Sequence, residues 1–457
     1  MSEEITKDFE KIAPKRWKRY PLYKDSGVEW IGEIPVHWAA TTLRRISKLI
    51  QTGNTPPTSK KEFYEDGSIP WYGPESFSEN ILLTKPKKLI SVKAYKSGFL
   101  RIFDSGVVLV VSIGASIGKI GLLMNKGSCN QQINVVQFAD NVDSKWGAYF
   151  LVFASDFISS TAPRNTLPIF DQSRLASLKA LHLPINEQKE ISSFLDQKLS
   201  EMERLSKEKK RLIELLKEKR TAIISQAVTK GLDPNAPMKD SGVEWIGEIP
   251  EGWDVAKLKR VVNHVGRGIS PKYAEKSSIA VINQACIYWE GISEDDLKYH
   301  EETDISELRK GLLKKGDLLL NSTGTGTLGR ALLFNLDRMC IADSHVTIVR
   351  CNRKLMIPSF LKLLVETPLY QSKILNELVA GSTNQIELSR EKLRNLIVVL
   401  PHIEEQERIV AYATERNHKL DSFISKIEKT IELLKEYRSA LITAAVTGKI
   451  DVREEVP

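Results

Sequence analysis

The sequence predicts an α+β protein: two mixed α/β domains separated by two long antiparallel coiled-coil helices, the whole related by a pseudo-two-fold internal repeat. Three observations carry that prediction. The segment Lys24 to Pro35 returns without a change as Lys239 to Pro250, and Trp38 and Trp253 close the two copies. Two long stretches, after Pro184 and after Pro401, run without Gly or Pro and are dense in Glu, Lys and Leu. Between these repeated parts lie two segments of nearly equal length whose sequences differ. An internal repeat on this scale governs the fold, because each copy must build a comparable unit.

At 457 residues, with 42% hydrophobic and 27% charged residues, the chain can bury real cores. A formal charge of +8 favours an acidic partner such as nucleic acid. Cys129, Cys286, Cys340 and Cys351 form no C-x-x-C pair and have no nearby His cluster, so neither a metal site nor a disulfide framework is expected. The start, Met1-Ser2-Glu3-Glu4, lacks a signal peptide's apolar core, and no apolar run reaches about 18 residues. A cytoplasmic protein away from membranes is expected.

The elements follow in order. Residues 1–38 form an N-terminal segment carrying the first box. Residues 39–183 form the first mixed domain, where Gly106 to Val111 reads as a buried strand. Residues 184–230 form the first long helix, with an apolar seam at Ile191, Leu195, Met202, Leu205, Leu212, Leu216 and Ile223. Lys198, Lys209 and Lys219 interrupt that seam. Residues 231–253 hold a turn-rich linker and the second box, and residues 254–400 the second mixed domain. Residues 401–448 form the second helix, with its seam at Ile409, Ala413, Leu420, Phe423, Ile427, Leu434, Tyr437 and Leu441; residues 449–457 are a tail. Alternation by four and three is a heptad stripe. Each helix spans roughly 65 Å at about 1.5 Å per residue, and each apolar side chain left in water forfeits about 1.5–3 kcal/mol. The helices are therefore expected to pack on each other. Packing on their own domains, or between molecules, stays open at this point.

The two mixed domains share a faint skeleton. Ser112 to Lys119 follows one apolar strand and Asn321 to Arg330 follows another; each loop holds hydroxyls, glycines and a terminal cation. Such a loop lets a backbone approach a phosphate that the cation neutralises, although it also fits a tight turn. Neither loop has the spacing of a Walker A or a dinucleotide fingerprint. Polar residues at Gln131 and Gln132, and at Ser344 and His345, precede a strand in each domain and can reach base edges or bond within their own turn. Cations beside amides and aromatics extend the set. Asn54, Lys60, Lys61, Tyr72, Ser112, Ser116, Lys119 and Arg164 are the further DNA-binding candidates of the first domain. Arg267, Lys272, Asn283, Gln284, Thr323, Thr325, Arg330, Thr383 and Asn384 are those of the second. No catalytic residue is assigned.

With these parts assembled, the chain resembles the DNA-specificity subunit of a type I restriction-modification system. The resemblance rests on the duplicated box, the Pro184-Ile185-Asn186-Glu187-Gln188 and Pro401-His402-Ile403-Glu404-Glu405-Gln406 helix starts, and the Ala227-Val228-Thr229 and Ala445-Val446-Thr447 helix ends. It implies two target-recognition domains, each reading one half of a split site on double-stranded DNA, with the helices as spacer. It also implies two modification (methyltransferase) subunits that carry S-adenosylmethionine and methylate adenine, and restriction subunits that translocate and cut DNA with ATP and Mg. The chain itself would be non-catalytic, in keeping with the absence of an adenine-methylation motif, a cofactor-binding Phe-x-Gly-x-Gly and a Walker A. A methylation-only complex, or a stand-alone methyltransferase or nuclease, are the alternatives. Asn165-Thr166-Leu167-Pro168 departs from the fuller Gly381-Ser382-Thr383-Asn384-Gln385 form of the second domain.

Overall fold

The computed structural model describes residues 17–163, 168–288, 291–324, 326–380 and 386–454. The chain divides into two compact units, Met1–Lys209 with Lys429–Pro457, and Lys210–Glu428. The long helices are continuous over Ile185–Lys230 and Ile403–Val446, so each contributes to both units.

In the first unit the main sheet runs in the order Ser47–Thr52, Ile133–Phe138, Val108–Val111, Ile120–Leu123, Leu82–Leu83. Its central strand is covered on both faces, which explains an unbroken apolar run where a half-exposed strand would alternate. Val108 and Val110 join the core built with the helix Ser144–Phe153, and Leu109 and Val111 join a second core with Tyr72, Phe77 and Phe103. A smaller sheet pairs Ile69–Tyr72 in parallel with Ser128–Cys129 and antiparallel with Lys88–Ile90. The second unit repeats the plan. Val262–Arg267, Val346–Cys351, Leu318–Asn321 and Ala331–Leu333 form its main sheet, and Ile279–Ile282 pairs in parallel with Cys340–Ala342 and antiparallel with Lys298–His300.

Inside each unit the segments of the two helices are antiparallel. In the first, Tyr20 donates to Glu187 at the start of the first helix and lies 4.8 Å under Arg453, just past the end of the second. Further along, Asn80 donates to Glu203 at 3.4 Å while its neighbour Glu79 accepts from Arg438 at 2.6 Å. In the second unit Arg220 pairs with Asp421, and Gly231 packs against Glu405. The seam differs in one place from the expected stripe: Leu212 is 41% exposed, whereas Lys209 is 7% exposed. A lysine stem can lie along apolar surface with its ammonium at the edge, so the charge did not keep Lys209 out.

The repeated boxes occupy equivalent places. Trp38 Nε1 donates to Glu187 Oε2 at 3.0 Å, and Trp253 Nε1 donates to Glu405 Oε2 at 2.9 Å. Each box also grips the end of the other helix: Tyr23 donates to the Gly448 carbonyl at 3.0 Å, and Lys230 donates to the Glu248 carbonyl. Gly231 and Gly448 take the left-handed conformation that ends each helix (φ +82° and +68°). In the first unit, burial and the Glu187 carboxylate hold the Tyr20 phenol well above its ordinary pKa.

Candidate nucleic-acid interface

At one end of the first domain the strands Ser47–Thr52, Val108–Val111 and Ile69–Tyr72 finish and Ile133–Phe138 begins, so four loops meet. Main-chain hydrogen bonds join them. Ser112 N donates to Gln132 O at 2.8 Å, Phe170 N to Ser112 O at 2.8 Å, and Gly53 N to Ile133 O at 2.9 Å. The second domain makes the same bonds with other residues. Ser322 N donates to His345 O at 2.8 Å, Leu388 N to Ser322 O at 2.8 Å, and Gly268 N to Val346 O at 3.0 Å. Gly53 and Gly268 are the tight point of each frame. A Cβ on Gly53 would overlap the main-chain oxygens of Cys129 and Asn130, and one on Gly268 those of Ala342 and Asp343.

Side chains fill this common frame differently. In the first domain Thr52 Oγ1 donates to Asn134 Oδ1 at 2.7 Å, and Asn134 Nδ2 donates to Ser112 Oγ at 2.8 Å, a buried chain with its donors and acceptors matched. Above it, Asn130 donates to Gln132 Oε1 at 3.1 Å. In the second domain Ser322 bonds Thr347 at 2.5 Å, Arg267 pairs with Glu387 at 2.8 Å, and Thr323 bonds both Gln284 and His345 at 2.9 Å. Burial lifts the Asp343 carboxyl above the usual carboxylate range, while the His345 N–H that it accepts at 2.7 Å pulls the other way.

The structure therefore gathers Asn54, Ser116, Gln131 and Gln132 at one end of the first domain, and Arg267, Gln284, Thr323, Ser344 and His345 at the matching end of the second. Other candidates are corrected. Tyr72 is fully buried in the core, because the smaller sheet that carries it packs against Leu109 and Val111 of the main sheet. The Ser112 hydroxyl is buried against Val110 O and Asn134, and buried Asn283 holds a turn by accepting from Ala285 N at 2.8 Å. Arg330 is half-buried, bonded to the carbonyls of Gly326 and Ile287 and 5.7 Å over Tyr288. Lys119 lines an open cleft of about 340 Å³ with Glu79, Asp156, Lys435 and Arg438, apart from the polar loops. Lys60 spans Phe63 and Phe99 at 5.2 Å each; Lys61 and Lys272 are exposed. Arg164, Thr325, Thr383 and Asn384 lie outside the described residues.

One charged feature is missing from the candidates named from sequence. Between Glu79 and Asp104 the chain has no acid, and Lys85, Lys87, Lys88, Lys93 and Lys96 are all exposed, around the strand Lys88–Ile90 and the short helix Val92–Lys96. This arm has its own small core of Phe63, Trp71, Ile90, Ala94 and Leu100. The matching arm of the second domain, Lys298–His300 and Ile305–Leu308, exposes Glu294, Asp295, Asp296, Glu301, Glu302, Asp304 and Glu307 instead. The acid-free run was the signal available in the sequence.

Among the described residues no group of His, Cys, Asp or Glu could hold a metal ion, and no helix is long and apolar enough to cross a membrane. The four cysteines are buried and free, and burial pushes the Cys351 thiol up to about 12.

Comparison with known proteins agrees with this geometry. The chain is 25% identical over 430 residues to the type I restriction enzyme MjaVIII specificity subunit of Methanocaldococcus jannaschii, covering 92% of this chain and 94% of that one. Its fold matches a solved chain from work on complex assembly and conformational transition of the type I R-M system (TM-score 0.69, 15% identity, 91% of this chain and 99% of that one). It also matches the HsdS subunit of Thermoanaerobacter tengcongensis (TM-score 0.51, 17% identity, 91% and 98%). A family profile described as the type I restriction modification DNA specificity domain matches residues 35–215 and again residues 250–436, so the chain belongs to the type I restriction-modification DNA-specificity family.

Proposed function

We propose that the two domains read the two halves of a split double-stranded DNA site, each through the loop cluster at one end of its main sheet. The reading is carried by one observation: two domains of unlike sequence hold the same main-chain frame and present different polar side chains on it. A constant frame with variable contents suits a pair of readers for different short sequences. Gln132, Gln131 and Asn54 would contact base edges in one half, and Gln284, Thr323 and His345 in the other. The lysine arm would hold phosphates beside the first half-site, fixing register without reading sequence. The boxes and long helices would dock two modification subunits, which bring S-adenosylmethionine for adenine methylation, and restriction subunits would add ATP- and Mg-dependent cutting. This chain supplies no catalytic group, and its contribution is to choose the site and hold it.

Exchanging residues 254–400 for the corresponding domain of another specificity subunit tests the reading. In methylation-sensitive sequencing of DNA modified by the reconstituted complex, one half-site should change and the other should stay. A change in both halves, or in neither, would refute the assignment.

A further inference from the structure

Gln284, Thr323 and His345 come from three different loops of the second domain and meet at one hydroxyl. Thr323 Oγ1 donates to Gln284 Oε1 at 2.9 Å and lies 2.9 Å from His345 Nδ1. A threonine hydroxyl has one proton to give. Since that proton goes to Gln284, the hydroxyl must accept from His345, which places the imidazole hydrogen on Nδ1 and leaves Nε2 of the neutral ring as an acceptor. With its oxygen occupied, Gln284 presents its NH₂ group. Among the described residues no bond is made by Gln284 Nε2 or His345 Nε2, and His345 is exposed.

Each member is held by its own main chain, so the relay is built before any ligand arrives. The Gln284 carbonyl accepts from Asn321 at 3.1 Å, Thr323 O from Thr327 at 3.1 Å, and His345 N–H donates to Asp343 at 2.7 Å. Gly324 leaves the room: a Cβ there would stand 2.9 Å from Gln284 Oε1.

We propose that this relay is the base reader of the second half-site and that it selects adenine. It sets a donor, the Gln284 amide, beside an acceptor, His345 Nε2. In the major groove adenine carries the complementary acceptor and donor, N7 and the N6 amino group, on one base. Guanine offers N7 and O6, two acceptors, one of which would face the imidazole lone pair. Cytosine offers a donor alone and thymine an acceptor beside a methyl group. The inference rests on the second domain reading DNA, and the test separates the two claims.

The experiment selects duplex DNA, randomised across both halves of the site, on the full chain reconstituted with its modification subunits. Wild type should fix adenine at one position in the half-site read by the second domain. Gln284→Glu, which replaces the donors with an acceptor, should lower that adenine preference by about tenfold or more while the other half-site is selected unchanged. Thr323→Val should act likewise, and Thr323→Ser, which keeps the hydroxyl, should retain the preference. Replacing the selected adenine with 7-deazaadenine should weaken binding by about tenfold. Unaltered selection by Gln284→Glu, or guanine at the position it controls, overturns the adenine assignment and leaves the domain as a reader. Selection of no sequence by wild type overturns both.

Discussion

The first domain carries a lysine-rich arm and the second an acid-rich one, on the same strand and helix of the same frame. Equivalent backbone therefore does not mean equivalent grip on DNA. The frame persists because its joining bonds are between peptide groups, which every residue but proline can supply as both donor and acceptor. Electrostatics is free to diverge, because exposed charges do little to hold a fold. The two domains also differ beneath the loops. The first stacks neutral side chains in the order Thr52, Asn134 and Ser112; the second uses the Arg267 to Glu387 pair and the bond of Ser322 with Thr347.

The largest expected effect breaks the likeness at the boxes. Glu187 satisfies Trp38, Tyr20 and His37, whereas the Glu405 carboxylate accepts from Trp253. Glu187→Ala should cost about 3 kcal/mol or more and Glu405→Ala about 1–2 kcal/mol, since each orphaned buried donor costs about 1–3 kcal/mol. Denaturant unfolding of the two variants compares them, and equal losses would mean that His37 and Tyr20 contribute nothing. Next come the tight glycines. Gly53→Ala and Gly268→Ala should each destabilise by about 1–3 kcal/mol, because a methyl group must displace main-chain atoms, and each should impair recognition of one half-site more than the other. Thermal melts with half-site binding would check this.

The arms predict a smaller difference, confined to affinity. Replacing Lys87, Lys88 and Lys93 with Gln should flatten the dependence of log affinity on log salt by about 0.9 for each phosphate no longer neutralised, without altering the selected sequence. Glu301→Gln with Glu302→Gln in the second domain should not flatten it. Binding titrations over a range of salt would measure both. Smallest of all, Leu212→Gln should change stability by less than about 0.5 kcal/mol, since the side chain is 41% exposed. Leu195→Gln, buried in the first unit, should be severe by comparison.

How much of this was legible in the sequence follows from the range of the interactions. The repeat, the long helices and the buried strand at Val108–Val111 are written in local periodicity and composition, and they stand in the structure. Which loop residues face outward was not, because that depends on long-range cover. Tyr72 and Asn283 look like surface chemistry until the smaller sheet that carries or leads into each packs on its main sheet. Ser112 and Asn134 look unrelated until a ladder brings them to 2.8 Å. The exchange of Leu212 for Lys209 has the same origin: the heptad gives the stripe, and neighbouring elements decide how much of it is covered. The lysine arm was readable as a run without acids, but its meaning came from the opposite charge at the matching place.

The first-turn glutamines of the long helices have a consequence of their own. Gln188 accepts from Asp143 N at 2.7 Å and donates to Leu183 O at 2.9 Å; Gln406 accepts from Ile357 N at 2.8 Å and donates to Leu355 O at 2.9 Å. Both glutamines hold peptide groups of their domain, so these particular contacts do not depend on the side chains at those positions. A foreign first domain must bring a matching bend of backbone together with partners for Ser192 and Asp196, which bond Asp143, Lys145 and Tyr149 of the present one.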